Sequence, residues 1–256
     1  MVKLATAREA RMYGPALAVR RWEYANAAAY AFATLLLLLA AAMTLLPLSA
    51  SGGGAARAVA GVALSAIAAV NAHDLAAHLA GIDCHVGLVR HDIQLGLVEL
   101  LVPALHVIGC ALAVAALATS NNAMATAAAA AAAWVVGSVA NACQTYERAD
   151  SRAQLMQSGV QVPMLVGSLL FLVSAAVVDV DTSPAARWRW VVVVGSVMWV
   201  VAAAVNVAKV YMMHQSDALR LEKLRGGAQE WLGRDREGRV PLSVNWEEAA
   251  WRAELR

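Results

Sequence analysis

The sequence predicts an all-α membrane protein, a polytopic transmembrane helical bundle with six spans. Of its 256 residues, 61% are hydrophobic and only 15% are charged, whereas soluble domains are about half apolar and roughly a quarter charged. The charges gather in the first 24 residues, in short segments between apolar stretches, and from Lys209 onward. Because a soluble helix carries charge along its whole length, this pattern indicates apolar spans separated by polar segments.

Six stretches are long enough for a spanning helix, which needs about 20 mostly apolar residues. They cover residues 27–46, 58–79, 93–118, 123–146, 160–178 and 190–211. The first of them exceeds the apolar core of a cleaved signal, which has about 7–15 residues, so we expect a retained first helix. Pro47 and the run Ser51-Gly52-Gly53-Gly54 predict a loop between the first two spans.

The distribution of lysine and arginine predicts the orientation of the spans. The leader, the loops after the second and fourth spans, and the chain from Lys209 onward hold 17 of the 20 basic residues, and the opposite side holds Arg57, Arg187 and Arg189. Because basic residues accumulate on the cytosolic side, we expect both termini in the cytosol. The chain then divides into a basic cytosolic leader (1–26), a six-helix transmembrane domain (27–213) and a cytosolic tail (214–256).

The even-numbered spans resemble one another near their predicted cytosolic ends. Asn71, Asn141 and Asn206 each follow a pair made of one alanine and one valine. A Gly-Ser pair recurs at residues 137–138, 167–168 and 195–196. We interpret the chain as three tandem helix hairpins. We expect the glycines to be packing contacts, because small residues let helices approach closely in lipid.

Five motifs resemble an uncharacterised family of plant multipass membrane proteins. They are residues 12–15 (MYGP), 21–24 (RWEY), 73–83 (HDLAAHLAGID), 146–150 (YERAD) and 220–242. The resemblance covers nearly the whole chain and implies a plant source and a membrane location, but no activity. The Gly-Ser helix pairs are also similar to the small two-helix YrhK-like domain.

A cluster of ten polar residues lies within or beside the apolar spans, mostly at predicted cytosolic ends. A charge at mid-bilayer costs about 2.5–3.5 kcal/mol on insertion scales, so ionisable groups there normally face protein or water. If the spans form a bundle, we expect the cluster at similar depth. Its members are Asn71, His73, Asp74, His78, Glu99, His106, Asn141, Gln144, Asn206 and Lys209.

Three interpretations of this cluster stay open. It is a hydrogen-bonded layer that fixes helix register, with Lys209 paired to Asp74 or Glu99; a vestibule for an ion, proton or small polar solute; or a metal or haem site. The third is the weakest, because His73 and His78 are five residues apart and therefore point to different faces of a helix.

The sequence gives no sign of an enzyme. It contains no cofactor fingerprint, nucleophile motif or histidine box, and its net charge of +2 is too small to indicate nucleic acid as a partner. Cys84, Cys110 and Cys143 are odd in number and include no CxxC pair, which predicts buried thiols rather than a disulfide framework. We therefore assign no catalytic residue, metal ligand or cofactor.

The sequence pattern of the tail indicates which partners the protein binds. Leucines and a tryptophan repeat at helical spacing between residues 221 and 232, beside basic residues. This pattern predicts either an amphipathic helix on the inner leaflet or a solvated extension of the sixth span. A short helix after Asn245 would be marginal alone and indicates docking to a protein. Two functions remain open: transport of a small solute or ion through the polar cluster, or a non-catalytic scaffold or accessory subunit that works through the tail. In both, the lipid bilayer is the first partner.

The predicted orientation is testable with engineered glycan acceptor sites. We expect glycosylation of sites placed at residues 51–54 and near Asp181, and none near Ser151, because only the non-cytosolic side meets the glycosylation machinery. The measurement is a mobility shift that glycosidase removes, with the unmodified chain as control. The reverse pattern of modified sites would overturn the orientation.

Overall fold

The computed structural model describes residues 17–45, 50–79, 97–119, 122–142, 151–177 and 188–212. Across these residues the fold is all-α and contains no β-strand, which confirms the predicted class. Six helices follow in chain order, and a π-helical turn, Leu97–Leu101, leads directly into the third. The helices are α1 (Leu17–Met43), α2 (Ala50–Leu79), α3 (Val102–Ala118), α4 (Ala123–Ala142), α5 (Ser151–Val177) and α6 (Trp188–Met212).

The lengths and compositions of these helices are those of membrane spans. Five of them, α1, α2, α4, α5 and α6, are long and apolar enough to cross a membrane. α3 has 17 residues, about 26 Å at the usual helical rise, slightly less than the roughly 30 Å hydrocarbon core. The π-helical turn extends that helical segment to residues 97–118. The protein is therefore an integral membrane protein built as a six-helix bundle.

The outward faces of the helices are apolar, as contact with lipid requires. Phe32 and Leu39 on α1, Val136 on α4 and Leu169 on α5 are all exposed. In water such a surface would be unfavourable, whereas lipid chains are as apolar as leucine. The exposed apolar side chains therefore fit direct contact with a bilayer.

The starts of three helices, α1, α2 and α5, differ from the sequence prediction. α1 begins at Leu17, inside the predicted leader, and α5 begins at Ser151 rather than at residue 160. The predicted loop at residues 51–54 is wrong, because these residues form the start of α2. The first N–H groups of a helix lack helical acceptors in any case, so glycine weakens this end less than it would weaken the interior, and the long alanine-rich run that follows favours helix.

Helices that follow one another in the chain pack side by side, α1 on α2, α2 on α3, α3 on α4 and α4 on α5. Arg189 of α6 donates from its guanidinium to the carbonyl oxygen of Thr44, just after α1, at 2.9 Å, so the last helix is tied to the first. One buried cluster receives side chains from all six helices. Its members are Ala33, Leu64, Ile67, Cys110, Ala131, Trp134, Met164, Trp199 and Ala202.

Two tryptophans of this core lie against glycines of the preceding helix. A Cβ added to Gly109 on α3 would lie 2.6 Å from Cδ1 of Trp134 on α4. A Cβ added to Gly167 on α5 would lie 2.5 Å from Cδ1 of Trp199 on α6 and 2.8 Å from the Gly195 carbonyl oxygen. Any larger residue would push the two helices apart. The predicted packing role of Gly167 is confirmed.

The other two glycines predicted to be packing contacts also lie against large side chains. A Cβ at Gly137 would lie 3.0 Å from the His106 ring, and one at Gly195 would lie 3.0 Å from Cε1 of Phe171. The serine that follows Gly137, Ser138, is buried with its Oγ 3.2 Å from Oγ of Ser168, which links α4 to α5.

The three-hairpin repeat stays a prediction, and one regularity of the core is relevant to it. Trp134 and Trp199 stand seven residues before Asn141 and Asn206, and Leu64 stands seven residues before Asn71. All three large residues belong to the single buried cluster. Each asparagine therefore lies about 10 Å along its own helix from a member of that cluster. The first two helices contribute Ala33, Leu64 and Ile67 to this cluster, with neither glycine nor tryptophan among them.

Three aromatic rings fill the centre of the bundle. The ring centroids of Trp134 and Trp199 are 4.9 Å apart at 71°, and those of Phe171 and Trp199 are 5.2 Å apart at 83°. Trp134 and Phe171 are 5.8 Å apart at 62°. Edge-to-face pairs of this kind contribute about 0.5–1.5 kcal/mol beyond their buried area. We call these three residues the aromatic core.

Replacing the glycine under either tryptophan should destabilise the bundle. We expect Gly109→Ala and Gly167→Ala to lower unfolding stability in detergent by about 1–3 kcal/mol, because overpacking forces side chains and backbone to shift. The matched control is Gly61→Ala in α2, where a Cβ would meet nothing within 4 Å. Gly61→Ala should be neutral or slightly stabilising, because alanine favours helix. Equal effects at all three positions would contradict the close approach of these helices.

Candidate functional site

The site begins with a lysine inside an apolar helix. Lys209 lies in α6, is half-buried, and its Nζ donates a hydrogen bond to Oε1 of Gln157 on α5 at 2.5 Å. The Gln157 side chain is 7% exposed. An ammonium group within a membrane span needs an acceptor or water, and the buried amide supplies one. The contact therefore joins α5 to α6.

One turn further along α5, a second buried amide joins α5 to α4. Gln161 is 8% exposed, and its Nε2 donates to the backbone carbonyl oxygen of Asn141 at 2.6 Å. Asn141 lies in the last turn of α4, which ends at Ala142. The Gln161 amide therefore links α5 to the last described turn of α4.

A third polar contact links α1 to α2. The amide nitrogen of Asn26 donates to Nδ1 of His73 at 3.1 Å. His73 is exposed and the neighbouring Asp74 is half-buried. We call the residues of these three contacts, Asn26, His73, Asn141, Gln157, Gln161 and Lys209, the polar layer.

The remaining residues of the predicted cluster differ in their surroundings. Asn71 and Asn206 are half-buried, and the Asn71 side-chain amide donates to the Ile67 carbonyl oxygen one turn earlier at 2.8 Å. His106 is 3% exposed, with Nδ1 donating to the Val102 carbonyl oxygen at 2.9 Å. Its Nε2 is buried and makes no hydrogen bond within the described part of the chain.

Three predicted cluster residues lie outside what the structure describes. Gln144 lies beyond the described residues altogether, and for His78 and Glu99 only the backbone is described. The predicted pairing of Lys209 with Asp74 or Glu99 therefore stays a prediction.

Sequence reasoning missed half of the polar layer. Gln157 lies before residue 160, where the fifth span is predicted to begin. Gln161 lies just inside that span but outside the predicted polar cluster, and Asn26 falls in the predicted leader. The available signal was the spacing of the two glutamines, four residues apart and hence on one helix face. Both fall inside α5, which begins at Ser151.

The geometry of the described residues favours hydrogen-bonding chemistry over metal chemistry. Among them, no group of three or more histidine, cysteine, aspartate and glutamate side chains is arranged to hold a metal ion. What the polar layer offers is one ammonium group, several amides and an imidazole, all at helix–helix contacts. Such groups bind water, ions and polar solutes, or hold helices in register.

The contact between Lys209 and Gln157 should stabilise the bundle measurably. We expect Gln157→Leu to lower unfolding stability in detergent by about 1.5–3 kcal/mol, the usual range for a hydrogen bond to a charged group. A second change, Lys209→Met, should recover part of the loss, because it removes the ammonium group that lost its acceptor. Arg57→Met, which removes an exposed cation from α2, is the control and should change stability little. A double variant no more stable than Gln157→Leu would show that this contact contributes nothing.

Comparison with known proteins adds no assignment, since no protein-family model and no solved structure matches the chain.

Proposed function

We propose that the protein moves a small polar solute or an ion, which enters the bundle at the polar layer. The observation that carries the proposal is the pair of buried amides, Gln157 and Gln161, next to Lys209 inside the helix bundle. A buried polar group left unpaired costs about 1–3 kcal/mol. Apolar side chains at these positions would not carry that free-energy cost. The presence of polar side chains here therefore favours contact with a polar ligand.

The proposed route has a closed segment beyond its entrance. Lys209 lies ten residues from Trp199 along α6, and Gln157 lies ten residues from Gly167 along α5. At the usual rise per residue, both separations are about 15 Å. The aromatic core would therefore act as the closed gate of the route, and passage would require Trp199 to move away from Gly167.

The basic-residue bias supports an orientation for this route. We place both termini, and with them the polar layer, on the cytosolic side, because 17 of the 20 basic residues fall on that side of the predicted topology. The tail, residues 214–256, lies outside the described residues, and its cytosolic amphipathic character stays part of the proposal. So does the plant source that the sequence resemblance implies.

A scaffold is the second candidate, and the packing of the bundle favours it. The polar contacts each join two helices, and the aromatic core fills the space between them. A bundle held in this way is suited to a fixed shape, with a protein partner bound through the cytosolic tail. In that case the polar layer sets helix register and carries no solute.

Flux into reconstituted vesicles separates the two candidates. The probes are potassium, chloride, protons and a small neutral solute such as urea, each measured against protein-free vesicles. If the transport proposal holds, at least one probe should enter faster than in protein-free vesicles. Gln157→Leu and Lys209→Met should then lower that flux about tenfold, the equivalent of roughly 1.4 kcal/mol, while Arg57→Met leaves it unchanged. If folded protein raises the flux of none of the four probes, the transport proposal is wrong and the scaffold is favoured.

A further inference from the structure

The buried ring of His106 carries a hydrogen-bonding atom that the fold does not use. Its Nδ1 lies 2.9 Å from the Val102 carbonyl oxygen, and a carbonyl oxygen only accepts, so Nδ1 carries the proton. In a neutral imidazole the other nitrogen is then an acceptor. That atom, Nε2, is buried and has no hydrogen-bond partner within the described part of the chain. His106 therefore offers an unused acceptor inside the bundle.

His106 lies between the polar layer and the aromatic core. Its ring is next to Gly137 on α4, where an added Cβ would lie 3.0 Å from Nδ1. Gly137 stands four residues before Asn141, the polar-layer residue of α4, and three residues after Trp134. At the usual helical rise, these separations are about 6 Å and 4.5 Å. A solute that leaves the polar layer would therefore meet His106 before it reaches the aromatic core.

The aromatic core carries unused groups of the opposite kind. The indole Nε1 atoms of Trp134 and Trp199 are buried, and neither has an acceptor among the described residues. An indole N–H only donates. Cys110, which belongs to the same buried cluster, offers a thiol sulfur, and sulfur is only a weak acceptor. Beyond the polar layer, a solute would therefore find first an unused acceptor and then unused donors.

The buried serines beside the aromatic core are already hydrogen-bonded. Ser168 donates to the Met164 carbonyl oxygen at 2.8 Å, and its Oγ lies 3.2 Å from Oγ of Ser138. Ser196 donates to a carbonyl oxygen of its own helix at 2.9 Å. Apart from Trp188 at the start of α6, the described residues include no other buried side-chain nitrogen or oxygen without a partner. The unused hydrogen-bonding capacity of the core is therefore that of His106 and the two indoles.

The helix segments around this part of the route contain no aspartate, glutamate, lysine or arginine. They are residues 27–43, 58–72, 102–118, 123–142, 158–177 and 190–208. An ion that leaves Lys209 would enter a region without a counter-charge, and a charge in the membrane interior is costly. A neutral molecule avoids that cost, and one with both donors and acceptors matches the unused groups.

We propose that the solute is a small neutral molecule with both hydrogen-bond donors and acceptors, such as a simple amide or alcohol, and that it donates a hydrogen bond to Nε2 of His106. Its acceptor atoms would then meet the indole N–H groups as it passes the aromatic core. This inference names the substrate class of the proposed transport function and rests on that function for passage. Binding at His106 can be measured without any transport.

Nitrogen NMR of the purified full chain in lipid nanodiscs tests binding at His106. With isotope-labelled histidine, urea below denaturing concentrations should shift the Nε2 resonance of His106 upfield and saturably, as expected when this nitrogen accepts a hydrogen bond. Acetone has the shape and the carbonyl group of urea but no N–H, so it is the matched probe and should leave the resonance in place. The resonance is assigned by its loss in His106→Phe or His106→Gln. A resonance that urea does not move would overturn the site.

Flux into reconstituted vesicles tests the substrate class. Urea should enter faster than in protein-free vesicles, whereas potassium, chloride and protons should not. His106→Phe should lower urea flux about tenfold, and His106→Gln, which keeps an acceptor oxygen, should recover part of it. Arg57→Met, an exposed position of α2 outside the route, should leave it unchanged. His106→Phe should also unfold no more easily in detergent, because it removes a buried nitrogen that lacks a partner.

The flux outcomes separate this inference from the transport function. Faster urea entry that depends on His106 supports both. Faster entry of any ion keeps transport but overturns the neutral substrate class. If no probe enters faster, transport is wrong, and the NMR titration of the wild type decides whether His106 binds a neutral solute.

Discussion

The structure depends on a steric constraint, the close approach of a glycine to a tryptophan across two helix pairs, α3–α4 and α5–α6. Helices in lipid gain little from the hydrophobic effect when they associate, because lipid chains are as apolar as leucine. Their association relies on packing instead, and Gly109 under Trp134 and Gly167 under Trp199 supply it. Each indole fits only where a Cβ is absent, so it fixes the depth at which the two helices meet. That register then places Gln157 opposite Lys209 about three turns away.

The odd-numbered helices differ in chemistry beside their small core residues. Three residues before Ala33, Gly109 and Gly167 they carry Tyr30, His106 and Met164. The Tyr30 hydroxyl donates to the Met164 sulfur at 3.5 Å, which links the first helix to the fifth. Near the other end of the bundle, Asp74 on α2 and Lys209 on α6 each stand three residues after an asparagine, Asn71 and Asn206.

The sequence predicted the fold class and the packing role of the glycines. It predicted only part of the polar layer. Apolar length alone located the helices, because the bilayer sets how long an uncharged stretch must be. Apolar length misplaced their polar ends: α5 begins at Ser151, before its apolar run, and this extension brings Gln157 into the bundle. Composition showed that Lys209 needed a partner, but which of several polar groups it meets depends on helix register. That register is set by contacts between residues far apart in the chain. The loop predicted at residues 51–54 failed because a strong helical run overrode the local preference of its glycines.

A density map of the purified protein in lipid nanodiscs would test the central claim most directly. The account predicts the Trp199 indole directly against Gly167, the Trp134 ring about 4.9 Å from it, and no water between the rings. Density for a continuous water-filled passage between Trp134 and Trp199, with the α5 and α6 backbones separated at Gly167, would contradict it. The small-residue contacts would then no longer explain how the helices reach their register.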